Sequence, residues 1–216
     1  MEKVIVGTLL LSVLSGGVSQ TDMLGKAFIF PQESSTAYVS LIPQMRTSLQ
    51  KFTLCLKAFT DLTRPYSLFS YSTKTKDNEI LLFVNKMGEY WFYVGNSEVI
   101  LKAPPNPYAP IHVCVSWESA SGIAEFWLDG KPLGRKGLKK GYTVGADAKI
   151  ILGQEQDSFG GSFDAKQSFL GEIWELSLWD YVVPLEEEHD SGNLINWRGL
   201  IYDNTGYVVT KPKLWS

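Results

Sequence analysis

The chain has few of the residues that reaction chemistry most often uses. Of its 216 residues only two are histidines, His112 and His189, and they lack zinc-type spacing. No Gly-x-Ser-x-Gly elbow occurs, which removes the hydrolase route to an exposed serine nucleophile. Sandwich glycosidases carry Glu-x-Asp-x-x-Glu on one strand. Here the series Glu155-Gln156-Asp157-Ser158-Phe159-Gly160 ends on glycine where the last acid would stand. The acid and nucleophile pair is therefore incomplete, and no enzyme is expected. Neither sign of charge is in excess: 20 Lys and Arg face 23 Asp and Glu, for a net charge of −3, so nucleic acid is not favoured as a partner. There is no Asn-x-Ser/Thr sequon, so N-glycosylation is not expected. Beyond residue 14 no apolar run approaches the ~20 residues that cross a bilayer.

What is present begins with a leader. Lys3 is followed by the apolar run Val4 to Leu14 and then by Ser15-Gly16-Gly17-Val18-Ser19, the pattern of a secretory signal peptide over 1–19. Cleavage after Ser19 would expose Gln20, which can cyclise to pyroglutamate, and leave one domain, 20–216, secreted to the extracellular space. That domain reads as strands almost throughout. Lys26 to Phe30, Phe52 to Ala58, Tyr66 to Tyr71 and Ile111 to Val115 alternate, and Glu79 to Leu101 reads as a three-strand meander. Turn signals recur every 8–12 residues, the spacing of sandwiches and barrels. Asp129-Gly130 marks a hairpin. The basic cluster Lys131, Arg135, Lys136, Lys139 and Lys140 reads as a solvated loop with hairpin charges. Pro184 to Asp190 is the one helical candidate, about two turns long. An all-β, two-sheet antiparallel jelly-roll sandwich with one short helix accounts for this pattern.

Cys55 and Cys114 each sit in an alternating strand pattern. In an oxidising compartment a lone pair is most simply a disulfide; two buried free thiols are the alternative. The stretch Gly153 to Gln167 is the chemically richest. It carries the acids Glu155, Asp157 and Asp164, the amides Gln154, Gln156 and Gln167, and Lys166 as the one cation able to neutralise them. Gly160-Gly161 lets the loop fold back on itself. A solvated polar loop is the simpler account of these residues alone. Hard oxygen ligands in a flexible loop also suit calcium, which takes about 6–8 oxygens.

Several stretches resemble the pentraxin family. His112-Val113-Cys114-Val115-Ser116-Trp117-Glu118-Ser119 matches the family signature His-x-Cys-x-Ser/Thr-Trp-x-Ser, and Gly122 to Trp127 and Gly153 to Gly161 match as well. The resemblance implies a jelly roll with a Cys55–Cys114 disulfide, a ring of five protomers, and calcium-dependent ligand binding in innate and acute-phase immunity. It implies two calcium ions held by Asp77, Asn78, Glu155, the backbone carbonyl of Gln156, Asp157, Asp164 and Gln167. A ligand phosphate, such as that of phosphocholine or phosphoethanolamine, or a ligand carboxylate would complete the coordination. Phe83 and Glu98 would flank the choline, an aromatic face and a carboxylate both favouring a quaternary ammonium. Tyr93 stands where one branch of the family has a small Thr and another a Tyr, and its ring would narrow that pocket. Taken singly, Phe83 and Tyr93 are accounted for by strand packing.

The resemblance further implies engagement of the complement component C1q and of Fc receptors. Asp129 is retained from the complement cleft, but the segment 180–196, where the family carries a fuller helix, is shorter here. Arg135, Glu172 and Lys211 are retained from the contacts between neighbours in the ring.

Overall fold

A computed structural model describes residues 19–184 and 191–215 of the chain. The expected leader, apart from Ser19, and the expected helix, apart from Pro184, lie outside the described residues.

Among the described residues, fourteen strands form two antiparallel sheets of seven. The first sheet contains β1 (Lys26–Phe30), β3 (Lys51–Phe59), β8 (Ile111–Glu118), β9 (Ile123–Leu128), β10 (Lys131–Gly137), β12 (Gly171–Trp179) and β14 (Val209–Pro212), in the order β10-β9-β8-β3-β12-β1-β14. The second contains β2 (Tyr38–Leu41), β4 (Tyr66–Thr73), β5 (Ile80–Lys86), β6 (Glu89–Val94), β7 (Ser97–Lys102), β11 (Ala148–Leu152) and β13 (Tyr202–Thr205), in the order β13-β2-β11-β4-β5-β6-β7. This is the all-β jelly-roll sandwich read from the alternation. Among the described residues the only helical pieces are 3-10 turns at Ala165–Gln167 and Trp197–Gly199.

Period-two patterning places the core between the sheets. On β6, Tyr90, Phe92 and Val94 point inward and are buried, while Trp91 and Tyr93 stay half-buried on the outer face. Phe92 meets Phe52 of the opposite sheet at 6.0 Å and Phe126 at 5.3 Å between ring centroids. Truncating a side chain buried this fully costs about 3–5 kcal/mol.

One stretch departs from the expectation. Lys131–Gly137, read as a charged loop, is strand β10. It lies at the edge of its sheet, and its register shifts between Pro132 and Gly134. Edge strands use lysine, proline and bulges to discourage pairing with other chains, so apolar alternation is missing here for a physical reason.

Cys55 and Cys114 are register partners on β3 and β8 and are joined in a disulfide. No described cysteine is free. Trp127, Trp179 and Val183 pack around the bridge.

Candidate functional site

The loop after β11 is fixed to the outer face of the second sheet by its own amides. Gly153 starts it with φ +90°, and a Cβ there would meet the Phe30 ring at 2.2 Å. The fully buried Gln154 side chain donates to the carbonyls of Ser34 (2.6 Å) and Ala37 (2.9 Å). The Gln156 side chain donates to the Ser70 carbonyl (3.0 Å) and the Lys149 carbonyl (3.0 Å) and accepts from the Gly160 N–H (2.9 Å). The Gln156 amide is engaged at both ends, so what Gln156 has left to offer a ligand is its backbone carbonyl, whereas Gln154 is held through its Nε2 and keeps a buried Oε1 without a partner. Small serines on β4, Ser67 and Ser70, leave room for the loop to lie across that strand. Further on, Asp164 caps the 3-10 turn by accepting from the Lys166 N–H (2.9 Å), and the turn carries Gln167.

A cleft of ≈ 550 Å³ opens beside this loop. Its walls include Asn78, Phe83, Tyr93, Glu155, Asp157, Asp164 and Gln167, which come from three separate stretches of sequence. Asp77, Gln156 and Glu98 do not line it. Asp77 is nevertheless close enough to act on the charge of Glu155. Glu98 is exposed on β7, opposite Tyr93 of the middle strand β6, which in turn faces Leu81 of β5. The Tyr93 strand thus stands between Glu98 and the strand that carries Phe83.

The electrostatics of the cleft are those of a site short of positive charge. Burial, and then the carboxylates of Asp157, Asp77 and Asp164, push the Glu155 carboxyl up to about 7. Lys166 does not relieve this. Its ammonium pairs with Glu33 (2.7 Å), which also takes Arg64 (3.2 Å), and the Lys166 bond leads in drawing the Glu33 carboxyl below its ordinary value. The neutralising cation expected from the sequence is therefore committed elsewhere. Burial, Glu98 and Glu155 push the Tyr93 hydroxyl up to about 12, so it is a neutral donor.

Three side-chain oxygens in this cleft, Asn78 Oδ1, Glu155 Oε2 and Gln167 Oε1, are buried with no hydrogen-bond partner. Buried polar oxygens are rarely left unpaired, because each costs about 1–3 kcal/mol. Neutral amide and carboxylate oxygens in a shared acidic cleft are the donor set of a hard divalent cation, and the residues present fit calcium. Among the described residues, Cys55, His112 and Cys114 do bring metal-type ligand atoms within 4.8 Å of one another. The two sulfurs are bonded to each other, so that group has no thiolate to give. Among the described residues the carboxylates of the cleft do not form a group of three at that spacing.

Several wall residues were not anticipated, among them Trp91, Arg64 and Asn85. Trp91 lies two positions before Tyr93, on the same face of β6, with ring centroids 6.3 Å apart. Its indole N–H is held by Glu89 (2.9 Å), as is the Asn85 amide (2.9 Å). Strand period two puts Trp91 on the same face as Tyr93, a signal that could have found it. Arg64 and Asn85 have no comparable signal in the sequence.

The remaining expected residues lie on the other sheet. Asp129, in the β9–β10 turn with φ +51°, accepts from the His112 N–H (2.8 Å). Arg135 on β10 pairs with Glu125 (2.8 Å). Glu172 on β12 is buried, with Oε2 lacking a hydrogen-bond partner, and Lys211 is exposed on the edge strand β14.

A two-sheet jelly roll with a cation-type cleft on one outer face defines a recognition module. The chain belongs to the pentraxin family: the model for the pentaxin family matches residues 26–212. It is 78% identical to the mucosal pentraxin of Rattus norvegicus over 219 residues, covering all of both chains. It is 53% identical to the C-reactive protein of Homo sapiens over 224 residues, again covering all of both chains. Among solved structures, the heptameric SAP-like pentraxin of Limulus polyphemus superposes with a TM-score of 0.78 at 21% identity, covering 90% of this chain and 98% of that one. Pentraxins are recognition proteins rather than enzymes, and the family is calcium-dependent in general; the chain is a recognition protein. No helix among the described residues is long and apolar enough to cross a membrane.

Proposed function

We propose that the protein is a secreted, calcium-dependent pattern-recognition protein that binds phosphate-bearing headgroups, phosphocholine or phosphoethanolamine, in the cleft beside Glu155. The reading is supported above all by the three buried, unpartnered oxygens of Asn78, Glu155 and Gln167 on its wall. Two calcium ions would be held by these residues with Asp77, Asp157, Asp164 and the Gln156 carbonyl. When bound, calcium supplies positive charge and open coordination positions for the phosphate. The chain orients the rest of the ligand. Phe83, Trp91 and Tyr93 line the cleft, and Glu98 lies beyond Tyr93, favouring a positively charged end group.

The Tyr93 ring on that wall favours a slim ammonium over the trimethylated one, which makes phosphoethanolamine the better of the two headgroups. Assembly into a ring, of five protomers by family pattern or seven as in the Limulus relative, would multiply weak single-site affinity. Arg135, Glu172 and Lys211 are proposed as contacts in that ring. The buried, unpartnered Glu172 Oε2 is what supports the second of these. Engagement of C1q through the surface near Asp129, and of Fc receptors, belongs to the same proposal.

The test is retention on phosphoethanolamine and phosphocholine matrices in millimolar calcium, followed by elution with EDTA. Complete release by EDTA is expected. Retention in EDTA would remove calcium from the account.

A further inference from the structure

The upstream part of the proposed ligand set, Asp77-Asn78, lies far from the Glu155 loop in sequence and has no regular element of its own. It follows β4 and precedes β5 as a short connection. Something must hold its two side chains toward the cleft before any ion arrives, and the structure shows what does. The β6–β7 hairpin turns at Gly95-Asn96, and its tip lies against this connection. The backbone N–H of Gly95 donates to the Glu79 carbonyl (2.9 Å), and that of Asn96 to the Asn78 carbonyl (2.9 Å). The Asn96 side chain then closes a reciprocal pair. Its Nδ2 donates to Asp77 Oδ1 (2.8 Å), and its Oδ1 accepts from the Asn78 N–H (3.1 Å).

Asn96 sits at φ +62°, a left-handed conformation that asparagine tolerates better than most residues. From the other side the connection is anchored through Glu79. Its carboxylate accepts from the Tyr142 hydroxyl (2.9 Å) and the Gly145 N–H (2.6 Å).

These bonds sort the oxygens. Asp77 Oδ1 is taken by Asn96 Nδ2 and also by the Asn78 N–H (3.1 Å), so Oδ2 is the oxygen Asp77 can offer. Asn78 has its N–H and its carbonyl both engaged by Asn96, while its side-chain Oδ1 is buried in the cleft wall without a partner. A neutral carboxamide does this without adding a positive charge that would compete with a cation. A lysine in its place would orient Asp77 equally well and neutralise it.

We propose that Asn96 is a positioning residue for the cation site: its carboxamide fixes Asp77 and Asn78 so that Asp77 Oδ2 and Asn78 Oδ1 face the ion. The proposal rests on the calcium reading of the cleft. It also joins that site to the ligand pocket. Asn96 is three residues after Tyr93 and two before Glu98, so one hairpin tip carries both the wall of the pocket and the clamp on the ligands.

The test is Asn96→Gly, because glycine adopts φ +62° without strain and removes only the carboxamide. Calcium affinity is measured by calorimetric titration of the whole chain, and the melting temperature is taken in EDTA. The expected result is a calcium Kd raised about 10–100-fold, the usual consequence of losing an outer-shell partner, with the melting temperature in EDTA unchanged. An affinity within twofold of wild type overturns the proposal while leaving the calcium reading intact. So does a loss of affinity accompanied by an equal fall in stability in EDTA, which would make Asn96 a turn residue and nothing more. Failure of the wild-type chain itself to bind millimolar calcium overturns the reading and the proposal together.

Discussion

The outer faces of the two sheets handle charge in opposite ways. On the first, Glu175 lies between Lys57 (2.6 Å) and Lys213, and the Cys55–Cys114 bridge is covered by Trp127, Trp179 and Val183. The charges of Glu175 are met within the chain. Burial works against its ionised form, but the bonds to Lys213 and Lys57 outweigh it and draw its carboxyl below the ordinary value. On the second sheet, Glu155 is buried among three other acids, its candidate cation partner Lys166 is committed to Glu33, and three oxygens have no partner. The Glu175 cluster of the first sheet is neutralised within the chain, and the acids around Glu155 on the second are not. The unpaired face is where an outside cation and ligand belong.

The comparison can be broken at several points. The largest effect belongs to the paired face. The bridge closes a sequence separation of 59 residues. Replacing both Cys55 and Cys114 by Ala should lower unfolding stability by about 4 kcal/mol in the chain-entropy model, measured by urea unfolding. Ligand retention of the molecules still folded should be preserved. Next comes Glu155→Gln. Losing a ligand oxygen's charge should weaken calcium binding at least ~100-fold, about 2.7 kcal/mol, in a calcium titration. In EDTA the same variant should melt no lower than wild type, because it removes a buried charge that its neighbours repel. A large drop in EDTA stability would mean that Glu155 is structural.

Smaller effects sharpen the picture. Tyr93→Thr should tighten phosphocholine about tenfold, or 1.4 kcal/mol, by opening the pocket wall. An unchanged affinity would show that the ring does not close it. Glu175→Gln should cost about 1 kcal/mol at neutral pH, the scale of a partly exposed ion pair. The sign of its pH dependence follows from the lowered carboxyl. The stabilisation is complete above the ordinary carboxylate range and is lost as pH falls through the folded value. Wild type and variant should therefore converge as pH falls through the lowered folded value and diverge toward neutral pH, read from thermal melts across the acid range.

Much of this molecule was legible in its sequence. The turn and strand signals located the meander that contains β6, and Asp129-Gly130 located a hairpin. β10 was missed because an edge strand carries lysine and proline where an inner strand would carry valine. The acids of the Glu155 loop were visible as a cluster, yet their meaning depended on pairings that spacing cannot show. Lys166 is next to those acids in sequence but bonds to Glu33, 133 residues away. Gln154 and Gln156 look like ligands and turn out to hold the loop. Asn96 looks like an ordinary turn residue, and only the folded chain brings it against Asp77 and Asn78.

The central claim is that the unpaired oxygens of the second sheet are a calcium site. Calorimetric titration of calcium into the EDTA-treated, dialysed chain tests it most directly, with Glu155→Gln in parallel. The account predicts saturable binding of two ions per protomer, abolished by EDTA and at least ~100-fold weaker in the variant. Heat traces without saturation up to millimolar calcium, or equal affinity in wild type and Glu155→Gln, would contradict it.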